Sequence, residues 1–309
     1  MIPPRRRLRL IGAPTDVGAG TRGASMGPEA LRVAGLLAAL QSLGLEVRDS
    51  GNLPGPGNPW QAPRHGWRHL PQVVAWNLAV RDAVADALGA GELPMLLGGD
   101  HSLGFGSIAA VASHCRAAAK PLRVLWLDAH ADFNTAETTP TGNLHGMPLA
   151  CLCGMGPAEL LRLGGAEPVL QAQQLRLLGV RSVDELERAL LRRHGLAVFD
   201  MRCIDELGMR EVMRRVLEGI DASTHVHLSL DVDFLDPDTA PGVATAVRGG
   251  PTWREAQLCM EMLADLGCVA SIDVVELNPA LDLRNRSAEA LVELLQSLFG
   301  RSTLLRDPR

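Results

Sequence analysis

The sequence predicts an α/β fold in which a mostly parallel sheet is covered by helices on both faces. Short apolar runs alternate with longer helical patterns along the 309 residues. The runs are rich in Leu and Val and are flanked by Gly or Asp, the pattern of strands buried on both faces. Strand and helix alternating at this length imply crossover connections between parallel neighbours. With 47% hydrophobic and 21% charged residues, the composition supports a large core, and one domain is expected over residues 1–309. No internal repeat or low-complexity linker interrupts it.

Strands are expected at residues 8–11, 46–49, 94–97, 123–127, 175–180, 196–199, 225–231 and 269–275. Between the first two, Pro28 and Glu29 suit a first helical turn, an apolar stripe runs through Leu31, Leu36 and Leu40, and Gly44 supplies the stop. Gly, Pro and Asn cluster over residues 51–63, which read as a long loop. Further helices are expected at 72–88, 105–119, 209–217, 252–266 and 287–299.

Composition also excludes several functions. A net charge of −5, 3% aromatic residues and no Tyr leave neither a basic footprint nor a stacking platform for nucleic acid. No stretch approaches the ~18 apolar residues of a membrane span. The basic N-terminus lacks the apolar run of a signal peptide, so a cytoplasmic location is expected. The six cysteines, Cys115, Cys151, Cys153, Cys203, Cys259 and Cys268, lack zinc-site spacing and, among mostly apolar neighbours, read as free, buried thiols.

In parallel sheets the reactive groups lie beyond the carboxyl ends of the strands. Three such ends carry ionisable residues. They read Gly98-Gly99-Asp100-His101-Ser102, then Asp128-Ala129-His130-Ala131-Asp132-Phe133-Asn134, then Asp231-Val232-Asp233 followed by Asp236-Pro237. The polar residues of the last two segments alternate, so an extended backbone would aim them in one direction. Taken singly, a Gly-Gly-Asp-His segment is an ordinary turn or cap, and an Asp-x-Asp beside Asp-Pro an ordinary solvated turn. Four or five carboxylates packed together cost several kcal/mol in repulsion and desolvation unless cations offset it. His101, Asp128, His130, Asp132, Asp231 and Asp233 are therefore candidate metal ligands. Imidazole and carboxylate without thiolate favour Mn²⁺, with Fe²⁺, Co²⁺ or Zn²⁺ as alternatives. Six ligands suit two ions, and ions ~3.5–4 Å apart can acidify a shared water, so hydrolysis is the expected chemistry.

These segments and others place the chain beside a known family. Ile11-Gly-Ala-Pro-Thr-Asp16, Met26-Gly-Pro-Glu-Ala-Leu-Arg32, Gly249-Gly-Pro-Thr-Trp-Arg-Glu255, Asp273-Val-Val-Glu276-Leu-Asn-Pro279 and Asn285-Arg-Ser-Ala-Glu289, with the metal segments, resemble the ureohydrolases, most closely the arginases. The resemblance implies a three-layer α/β/α fold with an eight-stranded parallel sheet, assembled as a homotrimer or homohexamer. It implies two Mn²⁺ ions, one held by His101, Asp128, Asp132 and Asp231, the other by Asp128, His130, Asp231 and Asp233. It further implies hydrolysis of L-arginine to L-ornithine and urea.

The segment Asn134-Thr-Ala-Glu-Thr-Thr-Pro-Thr141-Gly-Asn143-Leu-His145-Gly146 has the arginase form, which agmatinases lack. By that match Asn134, Thr141 and Asn143 bind the substrate α-carboxylate, Asp184 its α-amino group, and Thr245 belongs to a loop close to the substrate. Glu276 could pair bidentately with a planar guanidinium. His145 could shuttle protons near neutral pH, and Asp132 would pass a proton to the leaving amine. His65, His69, His114, His194, His225 and His227 carry no assigned role. Departures from the family pattern are Thr141 for Ser, Ala244 and Ala246 around Thr245, and the large Phe133. They leave other guanidino compounds, agmatine or a guanidino acid, as rival substrates. A metal-bearing protein without turnover is the rival from another class.

Overall fold

In the computed structural model, which describes residues 7–165 and 168–304, eight strands form one sheet. They are β1 (Arg7–Ala13), β2 (Glu46–Asn52), β3 (Leu93–Gly98), β4 (Leu122–Leu127), β5 (Leu175–Val180), β6 (Ala197–Asp200), β7 (His225–Asp231) and β8 (Val269–Val275). Their order is β2-β1-β3-β8-β7-β4-β5-β6, and every pairing is parallel. All eight expected strands are present.

Alternate residues of each central strand feed two separate cores, which makes three layers. Met95, Leu97, Leu125, Leu127, Leu228, Leu230, Ile272 and Val274 pack with helices Gly27–Val33, Met209–Val216, Trp253–Leu266 and Arg286–Leu298. Leu96, Val124, Trp126 and Leu177 pack on the other face with helices Leu70–Gly89 and Gly104–Ala117. Burying both faces explains why these strands read as continuous apolar runs.

Strands β7 and β8 depart from that pattern, because neither places a residue in the second core. Val226, Leu228 and Leu230 enter the first core, while His225, His227, Ser229 and Asp231 occupy the opposite face. The buried polar groups satisfy one another. His225 and His227 both bond Ser271 Oγ, at 2.8 and 2.9 Å, His227 Nε2 bonds Asp273 Oδ2 at 3.1 Å, and Ser107 donates to Asp273 Oδ1 at 2.6 Å. Paired groups of this kind avoid the penalty of buried unsatisfied polar atoms.

Several element boundaries differ from expectation. The helix expected from Pro28 to Leu40 is two helices, Gly27–Val33 and Leu36–Gln41, because Gly35 takes a left-handed φ of 83° that ends the first. Among the described residues four α-helices have no counterpart in the expected set: Pro148–Leu152, Ala158–Leu161, Glu185–His194 and Met201–Leu207. Strand β2 continues to Asn52, one residue past Gly51 into the expected loop. The rest of that loop is pinned by side chains, with Trp76 Nε1 donating to Pro56 O and Asn58 Nδ2 to Asp16 Oδ1. Cys115, Cys151 and Cys259 are buried free thiols, as expected, whereas the free thiols of Cys153 and Cys203 are only half-buried. Among the described residues no helix is long and apolar enough to cross a membrane.

Candidate active site

Four neighbouring strands, β3, β8, β7 and β4, deliver the ionisable groups from their carboxyl ends. After β3 the chain passes so close to Thr15 that a Cβ on Gly99 would lie 1.7 Å from its carbonyl oxygen. Asp100 then accepts Ser102 N–H at 3.0 Å, which starts the short turn carrying His101. After β4, Asp128 Oδ1 accepts His130 N–H at 2.6 Å; after β7, Asp231 Oδ1 accepts Asp233 N–H at 2.8 Å. These are Asx-type turns, in which a carboxylate bonds the backbone two residues on. They correct the expectation of an extended backbone: turns, not strand pleat, gather the alternating residues. Asp132 and Glu276 have left-handed φ values of 47° and 65°, a strained conformation for such residues. Glu276 N–H donates to Gly99 O at 2.7 Å, tying β8 to the end of β3.

The six expected ligands come together. Two groups have ligand atoms within 4.8 Å of one another, His101 with Asp128 and Asp231, and Asp128 with His130 and Asp233. His101 Nδ1 lies 3.1 Å from Asp128 Oδ2, 3.0 Å from Asp231 Oδ2 and 3.2 Å from Asp132 Oδ2. His130 Nδ1 lies 3.0 Å from Asp233 Oδ2 and 3.5 Å from Asp128 Oδ1. One oxygen of Asp128 thus faces each imidazole, the disposition of a bridging carboxylate. Asp231 falls in the first group alone.

Surrounding groups fix these side chains. His101 stacks on Trp126 with centroids 3.8 Å apart, and its Nε2 bonds Ser229 Oγ at 2.8 Å. A proton on Nε2 leaves the Nδ1 lone pair toward the carboxylates, the usual support for a ligating imidazole. Trp126 Nε1 donates to Asp128 Oδ2, Ala129 N–H to Asp233 Oδ1 and the Thr245 hydroxyl to Asp233 Oδ2, at 3.0, 3.0 and 3.1 Å. Arg181, which carried no expectation, donates to the carbonyls of Asp233, Phe234, Leu235 and Val247 and so holds the turn after β7. Ser229→Ala, which removes the acceptor for His101 Nε2–H, is expected to weaken binding of one metal ion about 10–100-fold. Competition with a chelator measures this; unchanged affinity would refute the orienting role of Ser229.

The electrostatics are those of a cation site. Burial, together with the charges of Asp233 and Asp128, raises Asp231 well above the usual carboxylate range. Burial and Asp128 push Asp132 up to about 6. Burial pushes His130 down, but hydrogen bonds to Asp128 and Asp233 outweigh it and carry the imidazole up to about 12. Carboxylates held against their preference for water and one another are stabilised by a divalent cation among them. The donor set, imidazole and carboxylate without a thiolate, fits such an ion.

A cavity of about 260 Å³ opens onto this cluster, with Asp132, Asp231, His130 and Glu276 at its floor. Glu276 is 1% exposed; its Oε1 accepts His101 N–H and bonds His145 Nδ1, both at 2.8 Å, and its Oε2 is buried without a partner. One oxygen is therefore already engaged, so a two-oxygen grip on a guanidinium would have to share Oε1. Burial pushes His145 down, but the charge and hydrogen bond of Glu276 prevail and raise it to about 9.

Asn134, Thr141, Asn143, Asp184 and Thr245 all line the cavity. Asn134 Nδ2 donates to Asp184 Oδ2 at 3.1 Å, so these two expected binding groups touch each other. Phe133 is fully buried, and neither it nor Ala244 or Ala246 lines the cavity, so those departures lie outside its wall. Five lining residues carried no expected role: Thr139, Pro140 and Gly146 within the segment 134–146, and Ser182 and Glu187 outside it. Glu187 accepts Phe133 N–H at 2.8 Å and Asp184 N–H at 3.3 Å, which joins the walls on either side. The spacing Asp184-Glu185-Leu186-Glu187 is a helix-start signature that could have revealed both Glu187 and the helix Glu185–His194.

An all-parallel α/β chain with a buried imidazole–carboxylate cluster at its central strand ends has the architecture of a metal-dependent hydrolase. Comparison with known proteins narrows the class. A sequence model of the Arginase family matches residues 6–300. An arginase of Brucella melitensis is 45% identical over 300 residues, covering 96% of this chain and 97% of its own. The crystal structure of Bacillus caldovelox arginase superposes with a TM-score of 0.89 at 42% identity, covering 97% of this chain and 100% of its own. An Entamoeba histolytica arginase, solved in complex with L-ornithine, superposes with a TM-score of 0.87 at 29% identity, over 96% of this chain and 99% of its own. The chain belongs to the arginase family.

Proposed function

We propose that this protein hydrolyses L-arginine to L-ornithine and urea, with residues 1–309 acting as one catalytic domain. Family membership supports the reaction, and the L-ornithine bound by the Entamoeba histolytica relative supports the product. The observation that carries the reading is the unpartnered Glu276 Oε2, buried at the floor of a cavity whose wall carries Asn134, Thr141, Asn143 and Asp184. A carboxylate in that position pairs with a cationic guanidinium, and the wall supplies donors and an acceptor for an amino-acid head group.

Two Mn²⁺ ions are proposed as the cofactor, held by His101, Asp128, Asp132 and Asp231 and by Asp128, His130, Asp231 and Asp233. Bound there, they would acidify a water and supply a nucleophile at neutral pH. The residues do the rest. Glu276 holds the guanidinium so that its carbon lies over the carboxylate cluster. Asp132 takes the proton released as the water oxygen bonds to that carbon. The bond from the carbon to the ornithine δ-nitrogen then breaks, and the proton passes to the departing nitrogen. His145, a cation up to about pH 9, exchanges protons between the cavity and solvent. The proposed assembly is a homotrimer or homohexamer, and the proposed location the cytoplasm.

Urea release from L-arginine, agmatine and 4-guanidinobutyrate, measured side by side on manganese-loaded protein, tests the reading. L-Arginine is expected to give the highest kcat/KM. A higher value for agmatine would assign the site to a substrate without an α-carboxylate.

A further inference from the structure

We propose that Arg68 is a specificity-determining residue of this site, selecting substrates that carry an α-carboxylate; the inference rests on the arginine-hydrolysing reading above. Arg68 lies outside the motif segments, at the end of the loop that follows β2. Its backbone N–H donates to Gly142 O at 2.8 Å, and its Nε donates to Asn143 Oδ1 at 2.7 Å. A second guanidinium nitrogen donates to Gln61 O at 3.1 Å. The neighbouring His69 holds this arrangement. It is buried, accepts Gln61 N–H on Nε2 at 2.8 Å, and so carries its proton on Nδ1, which donates to Val17 O at 2.8 Å.

Two consequences follow for the cavity wall. An amide bound at its oxygen presents its nitrogen elsewhere, so Arg68 fixes Asn143 with Nδ2 as its remaining polar end. Among the described residues nothing accepts a hydrogen bond from Nδ2, and Asn143 lines the cavity beside Thr141. The wall therefore offers a donor to an anion. The second consequence is charge. The Arg68 guanidinium has no carboxylate partner among the described residues, while Asp132, Asp231 and Glu276 lie at the cavity floor. A cavity with carboxylates below and a cation behind its rim orients a molecule with a guanidinium at one end and a carboxylate at the other.

The test compares the wild-type enzyme with Arg68→Met and Arg68→Lys on L-arginine and on L-argininamide, whose head group has no negative charge. Arg68→Met is expected to raise KM for L-arginine about tenfold with kcat within about twofold, the scale of one charge-assisted contact. KM for L-argininamide is expected to change less than about twofold, and Arg68→Lys to recover part of the loss. Bound metal is expected to stay at the wild-type level. Equal losses on both substrates, or loss of metal, would show that Arg68 only holds the loop and would overturn the proposal. Calorimetric binding of L-ornithine and putrescine separates this from the functional reading, because it needs no turnover. If the wild-type protein releases no urea from L-arginine, that reading fails. Selective loss of L-ornithine affinity in Arg68→Met would still support the role of Arg68, and parallel loss, or no L-ornithine binding by the wild type, would overturn it.

Discussion

Asp231→Asn is expected to lose bound metal and at least about a thousandfold of kcat together, because it removes the charge of a buried carboxylate at the metal cluster. The asparagine keeps an oxygen to accept Asp233 N–H, so the turn after β7 survives. The effect on stability has the opposite sign in the presence of chelator. Asp231 has a raised pKa in the folded protein, so its ionised form disfavours folding at neutral pH, and that cost disappears as acid protonates it. The metal-stripped variant should therefore melt no lower than the metal-stripped wild type. Added metal should stabilise the wild type, by about 4 kcal/mol at a thousandfold excess over Kd, and leave the variant unchanged. Calorimetry with and without metal checks both halves. Full turnover or full metal retention in the variant would remove the cluster from the reaction.

Glu276→Gln should separate catalysis from metal binding. The amide oxygen can still accept His101 N–H, so the proposed metal ligands are expected to stay in place. The lost charge is the one proposed to hold the guanidinium, and kcat/KM for L-arginine is expected to fall about 10²–10³-fold with metal content unchanged. A second readout follows from His145. Burial lowers its pKa, and Glu276 opposes that strongly enough to bring it to about 9. Neutralising Glu276 removes the opposition, so the imidazolium present up to about pH 9 in the wild type should be lost at lower pH in the variant. Nitrogen chemical shifts of the ring report it. Turnover within about threefold of the wild type would exclude Glu276 as the guanidinium anchor.

The inner strands were legible because they are buried on both faces, which leaves a run such as Leu122–Leu127 almost uninterrupted by polar residues. The candidate metal ligands were legible because His and Asp follow three such runs directly, where side-chain chemistry has no packing explanation. Glu276 needed the family resemblance, since a single acid after a strand has ordinary readings. What stayed hidden depended on contacts distant in sequence. Arg68 and Asn143 are 75 positions apart, and Arg181 reaches Val247 across 66. Nothing local marks a guanidinium destined for backbone carbonyls. The broken first helix was hidden for a different reason: the stripe of Leu31, Leu36 and Leu40 continues across the break at Gly35 and masks it.

The strand order has a kinetic meaning. The groups at the site come from β3, β8, β7 and β4, adjacent in space but ranging from residue 93 to residue 275 along the chain. Two of the ligand-bearing strands, β3 and β4, are joined through β8 and β7, which are made last. Pairing over such separations closes long loops and is slow. During synthesis the chain therefore has no complete ion-binding pocket until its final strand has emerged and docked between the earlier ones. Metal capture and completion of the sheet become a single late event, and an incomplete chain lacks a preformed centre with which to compete for the cell's divalent ions.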